Sequence, residues 1–578
     1  MLNQVLDTFK KMYDKYGDSL ILDNYVPDEG TYIIVVPKDE DFEVNEIFNF
    51  KLDKKSRQVD RSNRYMEFIC YADYNSKLIE MNKSILSKSG KVIQGNNYLS
   101  FIIKKESLSN GKLTSEIIDK FYDTLENPAA LKYEKKDDNN KSLELYRFVE
   151  KNIGEINAKR VNKIRNWIKE NIFNIIEDKK GKDYLKVYFY YSKEDYKNEG
   201  LRYYIPNIYN DNQYNNIISN DIYGVPSDNM GLNSKKPYLK NKTRKIEVPY
   251  LINQEEVMLQ KKFFDYCANC VSLGKLNLYI DEYEIHNEAK NKFAGLYIRL
   301  KKGKEVEIQD VDIITNFNDS LIRPFKCKNV LDADYDKLKL DYNLSYKKLS
   351  SLENIFNEVF FNKFLCNSYF TEANDINLKD NVLKNNLLIS RNALFDWFHK
   401  NKSDNVEKIL EKISLNIVKN SIIEDNKRKM DQFNLRISLK EYFQFKEGES
   451  MSDIIMNTKE TLRNKISAKD TNYIESDKEY FFAVGQVVSF FISKSKGKKK
   501  PLSLANPFIN AKNDKFIKEK VKALYRKYNY DMEFKDYRFK NLYSMISGYE
   551  VNGKIDSDMI IAGFLHSNLL YEKIKEEK

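Results

Sequence analysis

The richest concentration of chemistry-bearing side chains runs from Gly224 to Lys245, in one-letter code GVPSDNMGLNSKKPYLKNKTRK. Lys235, Lys236, Lys240, Lys242, Arg244 and Lys245 are set against one acid, Asp228, and Asn229, Asn233 and Asn241 add amides that donate and accept together. Lysine and arginine hold phosphates without reading sequence, whereas asparagine can bridge the edge of a base. Gly and Pro within the segment exclude a regular helix, so it is predicted to be a pliable basic loop suited to an anionic backbone. A solvated basic turn is the plainer alternative.

A second cationic run, KSKGKKK, carries Lys494, Lys496, Lys498, Lys499 and Lys500 between two helical stretches. With Tyr and Phe from neighbouring elements it suits single-stranded nucleic acid, and without them it is an interhelical turn. One constellation has the residue types for cutting. Asp281 ends the strand-like LNLYID, with Glu288 and Lys290 following as ExK; such carboxylates and a lysine can hold Mg²⁺ and activate water against a phosphodiester. A chain this rich in Asp, Glu and Lys also produces that pattern by chance. The three histidines, His286, His399 and His566, are scattered, against a histidine-rich nuclease or a zinc hydrolase. No GxxxxGK[ST] phosphate loop occurs, which argues against a P-loop motor. Cys267 and Cys270 make a lone CxxC in a helical pattern, with Cys327 a thin third candidate ligand, and read as small buried side chains. No metal and no cofactor is expected.

The elements that must carry these residues follow from periodicity. Leu2, Val5, Leu6, Phe9, Met12, Tyr13 and Tyr16 predict an opening helix; strands are expected at 32–36, 47–52, 98–103 and 187–191, with helices between about 115 and 178. After the basic segment come a helix at 255–273 and strands at 276–280, 295–300 and 306–308, the last two joined by a turn at 301–304. From about residue 340 the pattern is helical: 346–366, 380–400, 404–424, 452–466, 477–493, 513–528, 536–547 and 557–575. The expected fold class is α+β, a mixed α/β region over 1–335 with its reading loop at about 205–250, a helical connection over 336–450 and a helical bundle over 451–578.

With 578 residues the chain has length for several domain-sized units, and 97 cations against 86 acids leave a net charge of only +11. Lys, Asn, Ile and Tyr are also what an AT-rich genome encodes, so charge counts only where it is locally concentrated. Five scattered cysteines argue for a reducing compartment, and Asp7, Lys10, Lys11 and Asp14 stand where a signal peptide would be apolar. No run is long enough to span a membrane, and a cytoplasmic location is expected.

IPNIYNDNQ (205–213), the basic segment itself and PYLINQEEVMLQKKFFDY (249–266) together resemble the central signature of the Csh-type large subunit of type I-B CRISPR Cascade complexes. YFFAVGQVVSFFISKSK (480–496), KYNYDMEF (527–534) and DMIIAGFLHSNLLYE (558–572) resemble the helical tail of that family, and the likeness is looser over residues 1–200. The resemblance implies a non-catalytic antiviral-defence subunit at the crRNA 5′ handle. Such a subunit recognises the protospacer-adjacent motif (PAM) on double-stranded target DNA, aids duplex opening and R-loop formation, and recruits a separate helicase-nuclease. Its implied partners are the crRNA, the target duplex and displaced single strand, the Cascade backbone subunits and the small subunit. In such systems the guide reads the address and the protein reads the short flank.

Carried onto this sequence, the resemblance makes Asn229 and Asn233 candidates for base-edge or wedge contacts, with Asn212 and Gln213 next; the alternative for Asn233 is a turn cap on its own backbone. The six cations from Lys235 to Lys245 would bind phosphate, and the Lys494 to Lys500 run would meet the displaced strand. In this family the helical tail can also be made as a separate small subunit, and Met451 is a candidate internal start, since the codons of Lys446-Glu447-Gly448 before it can spell a ribosome-binding sequence; Met430 and Met456 are competing starts. The alternative function is a metal-dependent DNA nuclease of the PD-ExK type centred on Asp281.

Overall fold

The computed structural model describes residues 2–39, 41–53, 57–134, 140–177, 181–225, 245, 248, 250–289, 292–303, 306–443, 450–469, 472–495, 502–529 and 537–572. The chain divides into two units, Met1–Glu288 with Ala294–Thr315, and Ala289–Phe293 with Asn316–Lys578. The fold class is α+β: sheets with helices in the first unit, helices almost throughout the second.

The first unit opens with α1 (Leu2–Tyr16) and the short α2 (Ser19–Leu22), followed by the antiparallel pair β1 (Gly30–Lys38) and β2 (Asp41–Phe50). Then come α3 (Met66–Ser76), β3 (Ser100–Lys104), α4 (Glu106–Ser109), α5 (Ser115–Glu126), α6 (Lys141–Ile153), α7 (Ala158–Asn171), β4 (Tyr184–Phe189) and α8 (Lys193–Ile208). β4 inserts between β1 and β3, parallel to the first and antiparallel to the second, giving the order β2-β1-β4-β3. A central strand is covered on both faces, and Leu185 to Phe189 are all buried accordingly. Its one charge, Lys186, is neutralised by Asp73 at 2.6 Å and Asp28 at 2.9 Å. The hydroxyls of Tyr25 and Tyr188 complete the shell of Asp73 at 2.8 and 2.5 Å.

Beyond α8 lie the hairpin β5 (Asn216–Ile218) and β6 (Asp221–Tyr223), α9 (Gln254–Ser272), β7 (Asn277–Ile280), β8 (Ile285–His286), β9 (Phe293–Lys302) and β10 (Val306–Phe317). The last four form a second sheet, ordered β10-β9-β7-β8. Its core is closed by α1 and α9, where Phe9, Phe263 and Cys267 pack with Leu278 and Ile298. The opening helix therefore packs with elements more than 200 residues away, and its rings meet edge to face, Phe9 on Phe263 at 5.5 Å.

The second unit starts with a two-stranded ribbon, β11 (Ser320–Lys326) and β12 (Ser345–Lys348). It continues through α10 (Leu349–Ile355), α11 (Leu365–Ser368), α12 (Asn381–Lys400), α13 (Val406–Ile423), α14 (Lys429–Phe443), α15 (Met451–Ser467), α16 (Asp477–Ser493), α17 (Asn506–Ile509), α18 (Asp514–Tyr528), α19 (Tyr537–Gly548) and α20 (Ser557–Leu565). The expected helix over 346–366 begins instead as strand and breaks at a π turn, Phe356–Phe360, before α11. The expected helix over 557–575 ends at Leu565.

Residues 336–450 and 451–578 share one core. Val418, Phe433 and Ile437 pack with Ile455, Phe482 and Ile561. α16 and α20 cross backbone to backbone through two glycines. A Cβ on Gly485 would fall on the Ile560 carbonyl oxygen, and one on Gly563 would fall on that of Phe482, so only glycine permits the crossing.

Candidate nucleic-acid interface

The basic segment stands on a clamp assembled from both sides of it in sequence. On the amino-terminal side, α8 delivers Tyr209, buried, whose hydroxyl donates to the Ile222 carbonyl at 3.0 Å. The Lys83 ammonium ties down the Asn207 and Tyr209 carbonyls at the end of that helix. The hairpin turns through Ser219 and Asn220, both with positive φ (51° and 65°), as a two-residue primed turn requires. On the carboxy-terminal side, a capping box starts α9. Asn253 Oδ1 accepts from the Glu256 N–H at 2.8 Å, and Glu256 Oε2 accepts from the Asn253 N–H at 3.0 Å.

The two sides meet in one antiparallel bridge. The Gly224 and Ile252 N–H groups donate to each other's carbonyl oxygens, both at 3.0 Å, and the Asn210 N–H donates to the Val225 carbonyl at 2.9 Å. Gly224 is needed here for space, since a Cβ would strike Asn215 Oδ1 and the Tyr209 ring. The chain at Gly224 and Val225 and the chain at Ile252 are therefore fixed to one packed base.

Asn229, Asn233, Lys235, Lys236, Lys240, Lys242 and Arg244 lie outside the described residues; Lys245 is described and exposed. Asn212 has its amide in use within the clamp. Its nitrogen donates to Ser142 Oγ at 2.9 Å and to the Pro206 carbonyl at 3.0 Å, and its oxygen accepts from Asn215 at 2.8 Å. These bonds hold the turn after α8 against α6 and give Asn212 a positioning role. Gln213 is exposed, and its amide nitrogen donates to Asp211 at 2.7 Å.

Of the second cationic run, Lys494 is described. It closes α16, and its ammonium lies 5.1 Å from the Phe490 ring centre and 5.9 Å from that of Tyr571, a cation against two π faces. Lys496, Lys498, Lys499 and Lys500 lie outside the described residues.

Asp281 caps the turn between β7 and β8. Oδ1 accepts from the Tyr283 and Glu284 N–H groups at 2.8 and 2.7 Å, and Oδ2 lies 3.1 Å from His286 Nε2. Burial alone would raise its pKa, but these hydrogen bonds outweigh it and hold the carboxyl below its ordinary value. Glu288 is exposed and Lys290 lies outside the described residues. Among the described residues no group of three or more His, Cys, Asp or Glu side chains is placed to hold a metal ion. Cys267 and Cys270 are buried in α9, where burial pushes the first thiol well above its ordinary value and the second to about 11. Cys327 belongs to the other unit, 3.8 Å from the Ser438 hydroxyl that donates to it.

Sequence reasoning missed α14, the polar spine of the second unit. Asp431 accepts from the Lys339 and Leu340 N–H groups and from the Tyr342 hydroxyl at 2.9 Å, and Asn434 donates to that same hydroxyl at 3.0 Å. Arg436 forms a fork on Asp558, Nε to Oδ1 at 2.7 Å and Nη2 to Oδ2 at 2.9 Å, with Lys440 2.8 Å from the same carboxylate. Burial would raise the Asp558 pKa, but these two cations override it and hold the carboxyl at about 2. The interleaving of polar and apolar residues from Asp431 to Leu439 was the available signal, and it has no helical stripe because every one of them is buried.

No helix among the described residues is long and apolar enough to cross a membrane. No family model, curated protein or solved structure matches the chain.

Proposed function

We propose that this chain is the non-catalytic large subunit of a type I-B CRISPR Cascade. In that role its basic segment meets the PAM-bearing flank of duplex DNA while a guide RNA supplies the address. The observation that supports the reading is the clamp. Six cations against two acids, Asp228 and Glu247, lie in sequence between Gly224 and Ile252, which one backbone bridge joins on a base of α8, the hairpin and α9. A run tethered at two fixed points can follow a groove with a smaller ordering cost than a free tail. The segments that bear the family resemblance in the centre of the chain, 205–213 and 249–266, are the ones that build or adjoin this base.

In this reading Asn229 and Asn233 address the base edge or act as a wedge, and Lys235, Lys236, Lys240, Lys242, Arg244 and Lys245 hold phosphates. Gln213 stands on the exposed side of the clamp. The Lys494 to Lys500 run meets the displaced strand and aids R-loop stability, and a separate helicase-nuclease is recruited for cleavage. The nuclease alternative is not favoured by the use of Asp281 as a turn cap.

The test is expression of the intact chain in its native host followed by affinity purification. The reading expects co-elution with a small RNA of repeat-derived 5′ sequence and with several backbone proteins. A solitary, RNA-free protein, or Mg²⁺- or Mn²⁺-dependent DNA cutting lost in Asp281→Ala, overturns it.

A further inference from the structure

A second cationic site lies in the first unit, away in sequence from the basic segment. A cleft of about 360 Å³ is lined by Asp23, Arg57, Gln58, Arg61, Leu273 and Lys275, among others, a volume within the range of ligand sites. Its three cations come from two stretches more than 200 residues apart, so folding rather than composition brings them together. Arginine makes the coincidence stronger. It supplies only 16 of the chain's 97 cations, and three of those 16, Arg57, Arg61 and Arg64, fall within eight consecutive residues. An AT-rich genome inflates lysine without producing such a cluster.

The geometry suits an anion. Arg61 Nη2 donates to the Leu22 carbonyl at 2.9 Å and to that of Tyr25 at 3.4 Å, which fixes its guanidinium while other N–H donors stay on the plane. Arg57 lies over Gly274, where a Cβ would fall on its Nη1. Both positions have positive φ, 51° at Arg57 and 78° at Gly274. A glycine that α9 ends on thus makes the room the arginine occupies. Lys275 follows directly and is exposed. Among the described residues none of the three cations is ion-paired to a carboxylate, whereas Arg64 beside them pairs with Glu46 at 3.1 Å. Asp23 is the one acid in the lining. An exposed guanidinium pair and an ammonium around one concavity match the charge and the several acceptor oxygens of a phosphodiester.

We propose that this cleft binds the phosphodiester backbone of a polynucleotide, as a site separate from the basic segment. It goes beyond the reading given under Proposed function and does not depend on it, because the two charge sets can be silenced independently.

The test uses the full chain and a labelled single-stranded oligonucleotide, read by fluorescence anisotropy across a salt series, with inorganic phosphate and a nucleoside monophosphate as competitors. Arg57→Glu with Lys275→Glu removes two cations whose side chains, among the described residues, form no ion pair. Affinity is expected to fall roughly ten-fold or more, and the salt slope to fall by about 1.4, two single-strand contacts at about 0.7 each. Arg57→Lys should retain much of the affinity. An unaltered urea transition of Trp167 emission, read in a Trp397→Phe background, checks that the first unit stays folded, and neutralising Lys235 to Lys245 alone should leave the effect of the pair in place. Unchanged affinity and slope in the charge-reversed pair overturns the proposal. So does a nucleoside monophosphate that competes as well as the oligonucleotide, which would make the cleft a small-molecule site.

Discussion

Replacing Arg436 with methionine should uncouple α14 from α20 and destabilise the second unit by about 3 kcal/mol. The side chains of Arg436 and Asp558 are 3% and 5% exposed, and their two hydrogen bonds form a fork. Removing one partner of a buried pair typically costs about 3–5 kcal/mol, and Lys440 at 2.8 Å keeps the result near the lower end. Linkage gives a similar size by a separate route. The Asp558 carboxyl moves from 3.8 to about 2 on folding, which is worth about 2.5 kcal/mol at neutral pH. Because the folded pKa is depressed, this contribution is complete above about pH 4 and is lost as pH falls through 2. The chain has two tryptophans, Trp167 in α7 and Trp397 in α12, so a Trp167→Phe background reports urea unfolding of the second unit alone. With a slope of about 2–3 kcal/mol/M, the midpoint should fall by about 1 M. Arg436→Met combined with Asp558→Leu should recover part of the loss, since two apolar groups replace two buried charges while Lys440, 23% exposed, gives up its carboxylate. A midpoint shift below about 0.3 M for the single variant, or no recovery in the double, refutes the reasoning.

His566, 3% exposed, is held neutral, because burial and the nearby Lys459 charge outweigh a hydrogen bond with the Val330 backbone and push its pKa to about 3. Its contribution is full above about pH 6.5 and is lost as pH falls toward 3, at about 1.4 kcal/mol per unit. His566→Leu should flatten the pH 7 to 5 dependence of the same Trp397 midpoint, and an unchanged dependence contradicts this. A polypeptide of residues 451–578 lacks Arg436 and Lys440 and the apolar faces of α13 and α14, so it should collapse without a cooperative urea transition. A sharp transition with dispersed amide resonances would show instead that the Met451 start yields an independent domain.

Much of this architecture was legible because many of its elements keep one face wet. α1, α9 and α18 show helical stripes, and α16, though apolar nearly all round, is long and bounded by the Ser476 cap and Lys494. α14 was illegible for the opposite reason, since Asp431, Gln432, Asn434, Arg436 and Ser438 are buried and satisfied by partners distant in sequence. α8 hid behind Gly200 and Pro206, residues that ordinarily break a helix. β12 was read as helix because Ser345–Lys348 runs directly into α10 and takes its strand partner from Ser320–Lys326. At the candidate site the cationic run and the Gly224 break were visible in the sequence, but the Gly224–Ile252 bridge was not, because no local pattern announces a pairing across so many residues. The structural use of Asn212 was hidden likewise, its partner Ser142 lying on another helix.

The most direct measurement is the salt dependence of duplex affinity for the guide-loaded complex. It compares the native chain with one in which Lys235, Lys236, Lys240, Lys242, Arg244 and Lys245 are alanine. Six phosphate contacts on duplex DNA predict that the slope of log affinity against log salt falls by about 5, so that between 50 and 200 mM salt the native chain loses roughly a thousand-fold more affinity than the variant. Equal slopes for the two chains would mean that the basic segment does not touch the DNA backbone, and the account would fail at its centre.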